Sequence, residues 1–179
     1  MSYLEGDLRK YIQTKIAKNE MFEEKEVINI LEKIAMALSF MHEKKIIHKD
    51  LKPENVFLCG SENIKIGDFG LSCTLVGSYV PTKSGTQAYL APEMVKNSKY
   101  SAKSDVWSMG CIAYEICMLK HPFFNEAMMQ MLDSICSAKF APISTKYSSA
   151  LRAIITGMLQ SDEHKRLSSA DVVEKLSDL

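Results

Sequence analysis

Apolar residues recur at steps of three and four early in the chain. Val27, Leu31, Ile34, Leu38 and Met41 fall on one stripe of a helix predicted over about residues 24–43. Beyond it the period shortens. Two brief apolar runs, 55–58 and 64–66, flank Cys59-Gly60-Ser61-Glu62-Asn63, whose Gly, Ser and Asn suit a reversal between small strands. From about 102 to 119, apolar residues such as Val106, Trp107, Ile112 and Ile116 lie on nearly every side, as in a helix buried at the centre of a domain. Further helices are predicted over about 126–137, 148–159 and 168–177, the last opening with Ser168 and carrying Asp171 in its first turn. The pattern is mainly α with short β-hairpins.

With 179 residues, 46% of them hydrophobic, the chain can bury one core but is too short for two full domains. No repeat or Pro/Gly/Ser linker divides it. Lys plus Arg and Asp plus Glu both number 22, so no global field favours nucleic acid or an anionic membrane. The five cysteines are odd in number and form no CxxC pair, which argues against a zinc site or a secreted disulfide framework. Glu5, Asp7, Arg9 and Lys10 near the start, and the lack of any run of roughly 18 uncharged apolar residues, argue against a signal peptide or a span. The expectation is a cytoplasmic or otherwise intracellular protein, with nucleus and cytoskeleton left open, and with neither nucleic acid nor membrane as partner.

The candidate chemistry lies in His48-Lys49-Asp50-Leu51-Lys52-Pro53-Glu54-Asn55, in Asp68-Phe69-Gly70, whose Asp lies 13 positions past Asn55, and in Ala91-Pro92-Glu93, 21 positions past Gly70. Order and spacing together resemble the catalytic loop, metal-binding turn and activation-segment end of a protein kinase. Phosphoryl transfer needs a group to orient the attacking hydroxyl, oxygen ligands for magnesium and positive charge against the developing negative charge. The resemblance implies that Asp50 accepts the substrate hydroxyl proton, that Asn55 and Asp68 hold Mg2+ on ATP, and that Lys52 lies beside the transferring phosphate, as in Ser/Thr-directed members. It also implies that Thr86 bonds the catalytic Asp and Lys through its hydroxyl. Ser2 and Leu4 would offer hinge backbone to adenine, and Asp7 would reach the ribose. Val56, Phe57 and Leu58 would floor the adenine pocket, with ordinary core packing equally open for Phe57. Asp105 would accept hydrogen bonds from the catalytic-loop backbone, and Glu93 would pair with Arg166.

Taken singly, these residues have plainer readings: a turn-capping Asp50, a solvated Lys52, a helix-starting Asp105. His42, His121 and His164 lack metal-like partners in sequence and are read as core or surface. Met128, Met129, Met131 and Leu132 read chiefly as helix packing.

Departures from the family pattern are also visible. Lys49 stands where many relatives carry a phosphate-binding Arg, and Cys73 where a basic residue is common. Thr82, the best-placed phosphosite, is therefore expected to switch activity weakly. Met1 to Leu8 resembles the hinge that follows a small lobe, so the expectation is a large, C-terminal lobe with the small lobe absent: hinge 1–8, catalytic loop 48–55, activation segment 68–93, helical subdomain 102–179. Protein substrates are implied, together with a regulatory partner on the exposed lobe face. The alternative function is a catalytically inactive scaffold or interaction module. Leu71-Ser72, Thr82 and the Met-x-Tyr-x-x-Gly-Asp-Leu start resemble the NIMA-related Ser/Thr kinases.

Overall fold

The structure, a computed structural model, describes residues 6–59, 63–67, 73–74 and 86–179, with the backbone alone for 73, 74 and 86. Strand β1 (Gly6–Asp7) runs straight into helix α1 (Leu8–Lys18), because the Asp7 carboxylate caps it by accepting from the Lys10 amide at 2.9 Å. This helix is absent from the sequence reading, since only Leu8 and Ile12 of its 11 residues are buried. Helix α2 (Glu24–Glu43) matches the predicted bounds and buries the whole stripe, adding Ile30 and Ala35. Glu24 and Glu26 in its first turn complement the helix dipole.

Strand β2 (Ile46–Ile47) precedes the 48–55 loop, which closes in a 3-10 turn at Pro53–Asn55. Strands β3 (Val56–Cys59) and β4 (Asn63–Ile66) then pair antiparallel, with Val56 opposite Ile66. β1 adds to the other edge of β3, with Asp7 opposite Phe57. Alternation along β3 puts Val56 and Leu58 into the core and leaves Phe57 41% exposed on the opposite face. Phe57 is thus not core packing. β5 (Cys73–Thr74) pairs antiparallel with β2.

The rest is helical: α3 (Pro92–Asn97), α4 (Ala102–Met118), α5 (Met128–Ser137), α6 (Ser149–Met158) and α7 (Ser169–Ser177). α4 is the buried centre. A capping box between Ser101 and Ser104 starts it, and Trp107 and Tyr114 lie inside the core. α2 packs on α4 and α7, and α6 packs on α4. Ser168 and Asp171 form a second capping box at the head of α7. On α5, Met131 is buried while Met128 and Met129 face outward. Cys59, Cys111, Cys117 and Cys136 are free thiols, and no helix among the described residues is long and apolar enough to cross a membrane.

α4 and α6 approach closely at Gly110. A Cβ there would lie 2.9 Å from the Met158 Cβ, a side-chain stem that cannot retreat without moving its helix. Gly110→Ala, normally favourable inside a helix, is therefore expected to lower unfolding free energy by about 1–3 kcal/mol through overpacking. Urea unfolding measures this; unchanged or increased stability would show that the two helices part freely.

Candidate active site

The 48–55 loop is held from beneath by one buried carboxylate. Asp105, 1% exposed in the first turn of α4, accepts from the His48 amide at 2.8 Å and from the Lys49 amide at 3.0 Å. His42 at the end of α2 donates a third bond through Nε2 at 3.0 Å, and Ser169 of α7 supports the other ring nitrogen at 2.9 Å. Three helices thus meet at one side chain, and the positive end of the α4 dipole favours its charge. Lys49 needs such anchoring. Its φ of 70° is the left-handed conformation that a side-chain-bearing residue adopts only at a cost of about 1–3 kcal/mol. The Lys49 carbonyl is also bound, accepting from the Tyr100 hydroxyl at 2.9 Å, and its ammonium lies 5.7 Å from that ring's centre.

The loop gathers Asp50, Lys52 and Asn55. Asp50 Oδ2 accepts from Lys52 Nζ at 2.6 Å and from Asn55 Nδ2 at 3.1 Å, and Asn55 Nδ2 also reaches the Asp50 carbonyl at 2.8 Å. Oδ1 of Asp50 is buried and has no hydrogen-bond partner among the described residues. A buried carboxylate oxygen without a donor is costly unless something fills the site. His48 completes the loop. Its Nδ1 faces the Asp50 amide at 3.3 Å and so must accept, which leaves Nε2–H to donate to the Gly67 carbonyl at 3.1 Å. The Gly67 amide in turn bonds the Asn55 carbonyl at 2.9 Å. A Cβ on Gly67 would lie 2.5 Å from the Phe57 ring, so only glycine lets the half-exposed ring lie against this backbone.

Glu93 and Arg166 form a two-pronged pair, NH1 to Oε1 at 2.8 Å and NH2 to Oε2 at 2.9 Å. Arg166 also donates to the Gln160 and Lys103 carbonyls and lies over the Trp107 ring, so four of its five N–H donors are used around the buried charge. Burial pushes the Glu93 carboxyl upward, but Arg166 and the Ser104 hydroxyl outweigh it and hold the group below the usual range. Ser104 lies in the first turn of α4, so this pair and Asp105 rest on the same helix end.

Beside Lys52 opens a cleft of about 810 Å³, lined by Arg9, Glu54, Tyr89, Glu115, His121 and Phe124 among others. Arg9 pairs with Glu54 at 2.8 Å, with Glu115 through NH1, and with the Tyr89 hydroxyl at 2.6 Å. Tyr89 donates to Glu115 at 2.6 Å, and burial, followed by the Glu115 charge, keeps its hydroxyl protonated. His121 stands edge-on to Tyr89 and accepts from the Phe123 amide at Nδ1. Burial, reinforced by the Arg9 charge, pushes His121 down to about 3.

Asp50, Lys52, Asn55, His48 and Lys49 are thus brought together over Asp105. Ser2, Leu4, Asp68, Phe69, Gly70, Thr82 and the Thr86 side chain lie outside the described residues. Asp7 keeps one oxygen on the α1 cap and the other 3.4 Å from Lys10. Sequence reasoning read His42 as core or surface and did not foresee its bond to Asp105, and it missed the Arg9, Tyr89 and Glu115 cluster. That cluster joins residues 106 positions apart, which no local pattern reports.

The donor set suits a nucleotide-borne magnesium ion. Asn55 spends its NH2 on Asp50, leaving an amide oxygen as a hard ligand. Among the described residues there is no cluster of three His, Cys, Asp or Glu that could hold a metal.

Comparison with known proteins places the chain in a family. The family model described as "Protein kinase domain" matches residues 1–176. Serine/threonine-protein kinase Nek5 of Homo sapiens is 36% identical over 98% of this chain, and Nek2 of the same species is 36% identical over 97%. A probable serine/threonine-protein kinase nek3 of Dictyostelium discoideum is 38% identical over 94%. The chain spans 25%, 41% and 16% of the lengths of these three relatives.

Asp105→Asn would turn one acceptor into a donor facing an amide. It is expected to lower unfolding free energy by about 2–3 kcal/mol, read by chemical denaturation; a loss under 0.5 kcal/mol, on the order of a surface change, would contradict the anchoring role. His121 supplies a pH test. Because its folded value lies near 3 against 6.5 for the free side chain, the unfolded chain takes up the proton first, and stability falls as pH drops from 6.5 toward 3. His121→Asn should flatten that acid limb by about 1–3 kcal/mol in unfolding measured at pH 6.5 and 4. An unaltered slope would contradict it.

Proposed function

The chain belongs to the protein kinase domain family, and from that footing we propose that its site transfers the γ-phosphoryl group of ATP to serine and threonine hydroxyls of protein substrates. The observation that carries this reading is the asymmetry of Asp50. One carboxylate oxygen is taken by Lys52 and Asn55, and the other is buried and has no partner among the described residues. Oδ1 is therefore the acceptor left for an incoming hydroxyl, which it orients and whose proton it receives. Lys52, fixed 2.6 Å from Oδ2, sets a positive charge beside the path of the transferred group.

Asn55 would hold magnesium through its amide oxygen, and by family resemblance Asp68 would be the second ligand. Magnesium on the nucleotide supplies the charge that offsets the phosphates. The same resemblance gives Thr86 a hydroxyl contact to Asp50 and Lys52, gives Ser2 and Leu4 the adenine, and makes Thr82 a weak phosphorylation switch. Phe57, half-exposed beside Gly67, is the adenine-facing member of β3, whereas Val56 and Leu58 support the strand from the core. Asp7 reaches the ribose only if its Lys10 partner yields. The Nek relatives support the serine/threonine preference and the NIMA-related resemblance.

Asp50→Asn keeps the size of the side chain and removes the base. Magnesium- and ATP-dependent phosphorylation of matched Ser, Thr and Tyr peptides by the full-length protein should favour Ser and Thr. In the variant kcat should fall by about 10²–10⁴-fold with little change in KM. Undiminished turnover in Asp50→Asn would refute the role of Asp50. A wild type that binds ATP and transfers nothing would favour the scaffold.

A further inference from the structure

The cleft beside Lys52 has two carboxylates, Glu54 and Glu115, and both are already taken by a cation of the same chain. Arg9 projects from the first turn of α1 and lays one guanidinium across Glu54, Glu115 and the Tyr89 hydroxyl. Without it these three groups would form a ready receptor for a guanidinium or ammonium. Glu115 is nearly buried, and Tyr89 already donates to it, so its oxygens are fixed in direction. The remaining charge in the cleft is positive: Lys52 serves Asp50, and Lys120 lines the wall.

We infer that Arg9 is a specificity-determining residue which fills the acidic end of the cleft and excludes substrates whose arginine or lysine would enter it. The inference rests on the reading of this site as one that accepts a protein substrate. A tethered guanidinium competes at a high effective concentration, so a substrate arginine must displace it or go without a carboxylate in this cleft. Removing Arg9 leaves Glu54 and Glu115 without their cation. Glu115 and Tyr89 then await a donor, and an unpaired buried carboxylate rewards any ligand that brings one.

An arginine scan tests this. A neutral peptide with a single serine is prepared with arginine at each of the four positions on either side in turn. Binding by fluorescence anisotropy and kcat/KM for phosphorylation are measured with wild type, Arg9→Ala and Arg9→Ala/Glu115→Gln. In wild type no arginine should improve binding or kcat/KM. Arg9→Ala should gain about tenfold at one position, in Kd and KM rather than kcat, corresponding to the loss of one buried charge pair. The double variant should lose that gain. An arginine preference in wild type, or scans that coincide in wild type and Arg9→Ala, would overturn the inference. If Arg9→Ala does not fold, Arg9→Gln, which keeps an uncharged donor for Glu115, is measured against the same criteria. Binding follows the inference independently of catalysis: the expected binding scan without phosphorylation would sustain it while refuting the phosphoryl-transfer reading, and phosphorylation with coincident scans would do the reverse.

Discussion

The buried carboxylate of Asp105 is the constraint on which the rest of this site depends. It stands at the head of a helix with no solvent to neutralise it, and it is stable there because two loop amides and the His42 ring complete its hydrogen bonds. Those amides belong to the residues that turn through a left-handed conformation at Lys49 just before Asp50 meets Lys52 and Asn55. Loop strain and buried charge are thus solved together. Each would be costly without the other.

Because that helix is the centre of the core, the site inherits its rigidity. The Ser101 and Ser104 capping box fixes the first turn, Ser104 bonds Glu93, and Arg166 locks Glu93 from behind while stacking on Trp107. Further along the same helix, Glu115 holds Tyr89 and Arg9 at the wall of the cleft. One continuous element therefore carries the support of the 48–55 loop, the anchor of the segment ending at Glu93, and the charge at the far end of the cleft. Displacement of this helix would disturb all three at once, whereas the exposed ends of α1 and α5 can vary without reaching Asp50.

Much of this was legible in the residues alone. The α2 stripe gave its bounds directly, and the all-round apolar pattern of 102–119 marked the central helix because a helix buried on all sides has no polar face. The Asp50, Lys52 and Asn55 grouping followed from the resemblance of 48–55 to the catalytic loop of a protein kinase. Helix α1 was not legible, since it buries only two residues and its cap, Asp7, was read as a ligand for ribose. For Phe57 core packing was left open beside an adenine contact, and strict alternation in β3, which sends it opposite to Val56 and Leu58, removes the core reading. The clasp of Arg9 on Glu115 was invisible for a different reason. It depends on tertiary closure of two helices, and charged residues far apart in sequence carry no mark of their partner.

Amide hydrogen exchange at His48 and Lys49 tests the central claim most directly. Both N–H groups point into a buried carboxylate, so they should exchange as slowly as the amides in the middle of α2 and α4, opening only with global unfolding. Exchange at the rate of an exposed loop, with α4 still protected, would show that Asp105 does not hold the loop and would remove the basis of the site described above.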